Sequence, residues 1–174
     1  MDKSKRIVLM CHCILNSHSK VRGLAMYNGV LEPLVSKYIS AGIGIIQLPC
    51  PEMSYLGLKR WEMTKEQYDT PFFRRHCVEI LQPYVDQTID YINNGYCIEG
   101  IIGVEGSPSC GVNITNIGYC GGLIVQEQAH TREKIKGRGV FIEEFSKLLE
   151  AHKIEIQFHA VSNSTLLDSK YLKL

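Results

Sequence analysis

No apolar run in this sequence approaches the roughly 18–20 residues that a bilayer-spanning helix needs, so no membrane partner is expected. Net charge is nearly absent as well. Nineteen Lys and Arg against eighteen Asp and Glu leave a formal charge of +1, which removes the global field that recruits nucleic acid polymers or anionic lipid. There is no glycine-rich phosphate fingerprint, no internal repeat and no low-complexity tract, so neither a phosphate-cradling loop nor a repeat architecture is expected. The opening Met-Asp-Lys-Ser-Lys-Arg runs into a strand-like segment without a signal-peptide core or cleavage site, and a cytoplasmic location is expected. A length of 174 residues suits one domain and is short for two. What remains is a small protein for a small ligand.

Cysteine is what the chain has in excess. Seven of them stand at positions 11, 13, 50, 77, 97, 110 and 120. An odd number cannot close wholly into internal disulfides, and in a reducing compartment surplus thiols point to metal binding or catalysis. Cys77, in a helix-like stretch, and Cys97, ahead of an apolar run, read as plain buried small residues.

Periodicity predicts a single α/β domain spanning 1–174, with a mostly parallel sheet and helices on both faces. Strands are expected at 6–11, 43–48, 98–104 and 154–161. Helical spacing covers 30–41 and the stretch from Phe141 to Leu149. Residues 53–63 read as irregular structure roofing a pocket. Thr64 and Gln67 have capping-box spacing, and Thr70-Pro71 opens a helix that Pro83 should kink or divide before Asn93-Asn94-Gly95 ends it. Residues 111–138 are too long for an idle connection and read as a lid or substrate loop. Within it, 112–115 is expected to pair with 123–125, and the basic segment 130–139 reads as a solvated charged loop.

Three of the strands end in a cysteine: Met-Cys-His-Cys at 10–13, Pro-Cys-Pro-Glu at 49–52, and Gly-Val-Glu-Gly-Ser-Pro-Ser-Cys-Gly at 103–111. In a parallel sheet these ends share one edge, where open α/β folds place ligands. Three thiolates suit an iron–sulfur cluster with one open iron, or zinc with water as its fourth ligand; a non-enzymatic reading has the same site serve only as a sensor or sulfur carrier. If the first strand continues extended, Cys11 and Cys13 share a face and either serves. A different chemistry also fits, in which Cys110 or Ser107 is an acyl-transfer nucleophile with His12 or His18 as base. The polar loop 16–23 carries His18 and two cations and reads equally as a substrate holder or a solvated connection.

Cys13-Ile14-Leu15, Cys50-Pro51-Glu52 and Ser107-Pro108-Ser109-Cys110-Gly111, in that order, resemble the DUF523 family and its thiouracil desulfidases. The resemblance implies a Rossmann-like domain holding a [4Fe–4S] cluster on Cys13, Cys50 and Cys110, with Glu52 and Ser107 as the catalytic acid and hydroxyl. It further implies non-redox removal of sulfur from a thiolated pyrimidine-like compound: the substrate sulfur binds the open iron, Glu52 activates water, and hydrogen sulfide leaves. A carboxylate beside an anionic cluster is expected to have a raised pKa. Ser109, Glu105 and His18 are the expected substrate contacts, and Cys120 is not expected to close the site. Expected partners are the small thiolated substrate and a second copy of the chain in a homodimer. The chain departs from the family pattern at 17–23, where a Cys-Arg-Tyr-Asp-Gly segment is replaced by Ser-His-Ser-Lys-Val-Arg-Gly, and at Glu105-Gly106, where a basic residue is usual.

Overall fold

A computed structural model describes residues 5–121 and 132–162. In chain order the elements are β1 (Arg6–Met10), α1 (His12–Leu15), α2 (Glu32–Ser40), β2 (Gly44–Gln47), α3 (Pro51–Leu56), α4 (Lys65–Tyr68), α5 (Pro71–Asn93), β3 (Cys97–Val104), β4 (Ile114–Ile117), β5 (Glu133–Lys136), α6 (Val140–Ala151) and β6 (Phe158–Val161). Four strands form an all-parallel sheet in the order β2-β1-β3-β6. Ile7 through Met10 are all buried, which requires cover on both faces of the sheet.

The topology supplies that cover. The chain leaves β1 toward β2 on one side and leaves β3 toward β6 on the other, so its direction reverses between β1 and β3. Right-handed crossovers then put α2 on one face and α5 with α6 on the other. Helices α5 and α6 do pack together. Val35 and Tyr38 of α2, Phe73, Leu81 and Val85 of α5, and Phe141 and Phe145 of α6 join the strand residues in the core. The reversal opens a crevice beyond the C-terminal ends of β1 and β3, where doubly wound sheets bind ligands.

Several local expectations change. Strand β1 stops at Met10, the Cys11 amide donates to Ile102 O at 2.9 Å, and α1 begins at His12. Cys11 and Cys13 therefore do not share a strand face: Cys11 is in the core and Cys13 lies beyond it. Residues 51–56 are helical rather than irregular, because Pro51 sits at the first turn and the Cys50 sulfur caps it by accepting from the Met53 amide at 3.4 Å. Helix α5 runs unbroken through Pro83. The proline frees only the carbonyl of Glu79, and both residues face water, which satisfies that group.

The capping box at Thr64 and Gln67 and the Thr70 cap form as their spacing predicts. The partner of the first half of the long loop is different. Ile114–Ile117 pairs antiparallel with Glu133–Lys136, so part of the expected charged loop is a strand; residues 123–125 lie outside the described ones. In the last strand only Phe158–Val161 finds a partner, opposite Ile101–Val104. Cys77 is buried, but Cys97 is exposed at the start of β3.

Candidate functional site

A cavity of about 240 Å³ occupies the crevice at the strand ends, and Cys13, Cys50, Cys110, Glu52, Ser107 and Ser109 all line it. Each strand delivers its part differently. Cys13 projects from the helical turn after β1, Cys50 caps α3 after β2, and the loop after β3 brings the two serines and Cys110.

That last loop is held by backbone contacts. The Val104 amide donates to Cys110 O at 2.9 Å and the Gly111 amide to Ser107 O at 3.1 Å. The first amides of α6, at Val140 and Phe141, each donate at 3.0 Å to the carbonyls of Pro108 and Ser109, so the helix start is capped by the loop itself. The packing leaves no room for side chains at the glycines: a Cβ on Gly111 would stand 2.3 Å from Ile114 O, and one on Gly139 2.4 Å from the Ser109 carbonyl. Ser107 Oγ accepts from the amides of Cys110 at 2.9 Å and Ser109 at 3.3 Å. With both lone pairs engaged, its hydroxyl has only a proton to offer, and Ser109 Oγ stands 3.3 Å away to accept it.

Glu52 is buried, and its two oxygens have separate partners. Ser109 donates to Oε1 at 2.6 Å, and Arg60 Nε donates to Oε2 at 3.1 Å. Arg60 is itself buried, with Nη2 on Ser19 O at 2.7 Å and Nη1 on Gly57 O at 3.2 Å. A carboxylate has about four acceptor sites, so Glu52 keeps capacity toward the cavity. Tyr68 stands beside this pair without a well-formed hydrogen bond among the described residues. Burial, then the Glu52 carboxylate, holds its phenol well above its ordinary range.

The thiols resist ionisation. Burial, then the neighbouring Cys110, pushes Cys50 up to about 11 and Cys13 higher still, with Lys20 pulling Cys13 the other way. Cys110 is raised by its hydrogen bond with Cys11, which stands behind it in the core, and then by burial. Such sulfurs are poor free nucleophiles, because reactive cysteines need the opposite shift. A cation would stabilise all three as thiolates, so the donor set fits a thiophilic metal group. Among the described residues no three His, Cys, Asp or Glu side chains are gathered tightly enough for a single ion. Cys13, Cys50 and Cys110, each from a different strand end, are the residues that would hold a cluster.

One expected substrate contact falls elsewhere, and another is engaged by the backbone. His18 is exposed and does not line the cavity. Glu105 does line it, but its carboxylate accepts from the Asn113 and Ile114 amides at 3.2 and 2.8 Å and from Asn113 Nδ2 at 2.7 Å. It is a clamp on the next turn. Ser109 is present, with its proton committed to Glu52. Cys120 is exposed and outside the cavity lining.

Residues that sequence reasoning missed come from further along the chain. Arg60, Asn116 and Lys134 also line the cavity, as does Lys20, one of the two cations of the 16–23 loop that the sequence offered as a substrate holder. No local pattern marks Arg60 for the site, since its carboxylate partner lies 8 residues away and Ser19 41 residues away. Asn116 and Lys134 arrive together because they are paired across β4 and β5. This ribbon is fastened over the site: Glu66 accepts from the Gly118 amide at 2.8 Å, and Arg132 pairs with Glu62 and donates to its carbonyl at 2.8 Å.

No family model matches the chain, and no solved structure matches it. Uncharacterized protein MJ0003 of Methanocaldococcus jannaschii is 35% identical over 159 residues, which cover 91% of this chain and 86% of the archaeal protein. The chain belongs to the same family as that protein.

Proposed function

We propose that this member of the family is an iron–sulfur-dependent desulfidase, as its resemblance to the DUF523 proteins implies, converting a small thiolated pyrimidine-like compound to its carbonyl counterpart. The observation that carries the reading is the convergence of Cys13, Cys50 and Cys110 with the buried Glu52–Arg60 pair on one cavity. The balance is simple: a C=S group and water give C=O and hydrogen sulfide, and nothing is oxidised.

Cys13, Cys50 and Cys110 would hold a [4Fe–4S] cluster. When bound, such a cluster supplies an open, thiophilic Lewis-acid iron that polarises a thiocarbonyl. The chain's own residues do the rest. Glu52, oriented by Ser109 and Arg60, takes a proton from a water held in the cavity, so that the water oxygen attacks the thiocarbonyl carbon. Ser107, able only to donate, would turn its proton from Ser109 Oγ to the charge that develops on the substrate. Arg60 keeps the carboxylate from turning away, and three of its five N–H donors are engaged on Glu52, Gly57 O and Ser19 O, which makes it a positioning residue.

The nucleophile reading for Cys110 loses support, since its thiol is shifted against ionisation and neither His12 nor His18 lines the cavity. A passive sulfur carrier has no use for a carboxylate held by a buried guanidinium beside its sulfurs. The test is protein purified without oxygen, assayed for iron, acid-labile sulfide and visible absorbance beside Cys13→Ala, Cys50→Ala and Cys110→Ala, with sulfide release measured from thiolated pyrimidines. Loss of the chromophore in all three and release abolished by Glu52→Ala are expected. A colourless wild type after anaerobic reconstitution would sink the proposal.

A further inference from the structure

The cavity contains a polar atom that the fold leaves unused. Asn116 Oδ1 is buried and has no hydrogen-bond partner among the described residues, although Asn116 lines the cavity. A buried amide oxygen without a donor is costly, and native structures rarely keep one without reason. Its direct cross-strand neighbour is Lys134. Directly opposed residues in an antiparallel pair project on the same face, and Lys134 lines the same cavity, its Cε 3.4 Å from where a Cβ on Gly106 would stand. One acceptor and one cationic donor are thus mounted side by side on a ribbon fastened over the proposed reaction site.

We propose that Asn116 and Lys134 read the imide edge of the substrate, a ring N–H flanked by a carbonyl or thiocarbonyl. This rests on the desulfidase reading and narrows its substrate class. The N–H donates to Asn116 Oδ1, and Lys134 donates to the carbonyl beside it. The acceptor selects rings that carry a proton on that nitrogen and rejects N-alkylated ones, because an alkyl group leaves the buried oxygen unpaired. The lysine tightens binding of any ring with an exocyclic oxygen and does not discriminate at nitrogen.

Titration calorimetry of the anaerobically purified protein with uracil and with 3-methyluracil tests this, beside sulfide release from 4-thiouracil. Wild type should bind uracil roughly tenfold to a hundredfold more tightly than the methylated ring. Asn116→Leu, close in size, should lose that preference through weaker uracil binding, and Asn116→Asp, which retains an acceptor, should keep it. Lys134→Met should weaken both ligands alike. Equal binding of the two rings by wild type, binding of neither, or a preference that persists in Asn116→Leu, would overturn the assignment; the last result would trace the preference to steric exclusion. Because uracil carries no sulfur, the binding result stands apart from the reaction: discrimination without sulfide release would retain the edge-reading pair and discard the desulfidase.

Discussion

Replacing Glu52 by Gln separates what the buried carboxylate does for the fold from what it does for chemistry. Glu52 and Arg60 are each 9% exposed. The substitution leaves the side-chain shape but strands a buried guanidinium without its countercharge, and breaking a buried pair in this way costs about 3–5 kcal/mol. For a chain of this size that lowers Tm by roughly 6–20 °C. Arg60→Met should cost a similar amount, since it strands the carboxylate and removes the donors on Ser19 O and Gly57 O. Replacing both removes both charges, and a buried pair exchanged for uncharged groups is often close to neutral. The double variant should therefore be about as stable as either single one or better, a coupling of about 3 kcal/mol in a double-mutant cycle. Sulfide release should stay abolished in the double variant, because restored stability returns no base. Urea unfolding of the four proteins gives the cycle. Additive destabilisation would refute the coupled pair, and activity regained in the double variant would remove Glu52 from proton transfer.

Gly139→Ala should fold poorly or fail to assemble the proposed cluster, because a Cβ 2.4 Å from the Ser109 carbonyl and 2.9 Å from the Cys110 amide cannot fit without moving the loop that carries Cys110; the cost is about 1–3 kcal/mol or more, and unchanged stability would contradict the packing. Assembly of the proposed cluster should release protons, since the thiols are neutral near pH 7, and anaerobic reconstitution with iron and sulfide should become more complete as pH rises; acidification of a weakly buffered reconstitution mixture reads the sign. The same shifts act on the metal-free protein. Cys50 is raised in the fold from its ordinary 9.0 to about 11, so its contribution is complete below pH 9 and is lost as pH climbs toward 11. Thermal unfolding of the Cys50→Ala variant should show a shallower alkaline decline than wild type, and identical declines would count against the buried thiol.

Much of the fold was legible because short-range rules govern it. The apolar runs that became β1, β2 and β3 were visible as such, and the Thr64, Thr70 and Gly95 signals mark real helix ends because capping is decided within three or four residues. Where local rules compete, the reading failed. Cys50 reads as the end of a strand, yet a proline after it and a sulfur free to accept an amide make it a helix cap. Glu133–Lys136 reads as a charged loop, yet opposite Ile114–Ile117 its backbone finds a strand to pair with.

What the sequence determined by itself is the set of chemical groups at the strand ends: three cysteines, Glu52 and two serines, each placed within a few residues of a β-strand terminus, where parallel topology gathers them on one edge. What only the tertiary structure decided is which groups face one another across long separations. The choice of Cys13 for the cavity and Cys11 for the core follows from the chain turning helical at His12. The countercharge for Glu52 comes from Arg60, Glu105 clamps a backbone turn at the cavity wall, and the orphaned Asn116 oxygen enters on a ribbon whose strands are far apart in sequence. None of these is encoded in spacing, because each depends on the direction in which a packed backbone aims a side chain, and that direction is set by contacts between distant segments.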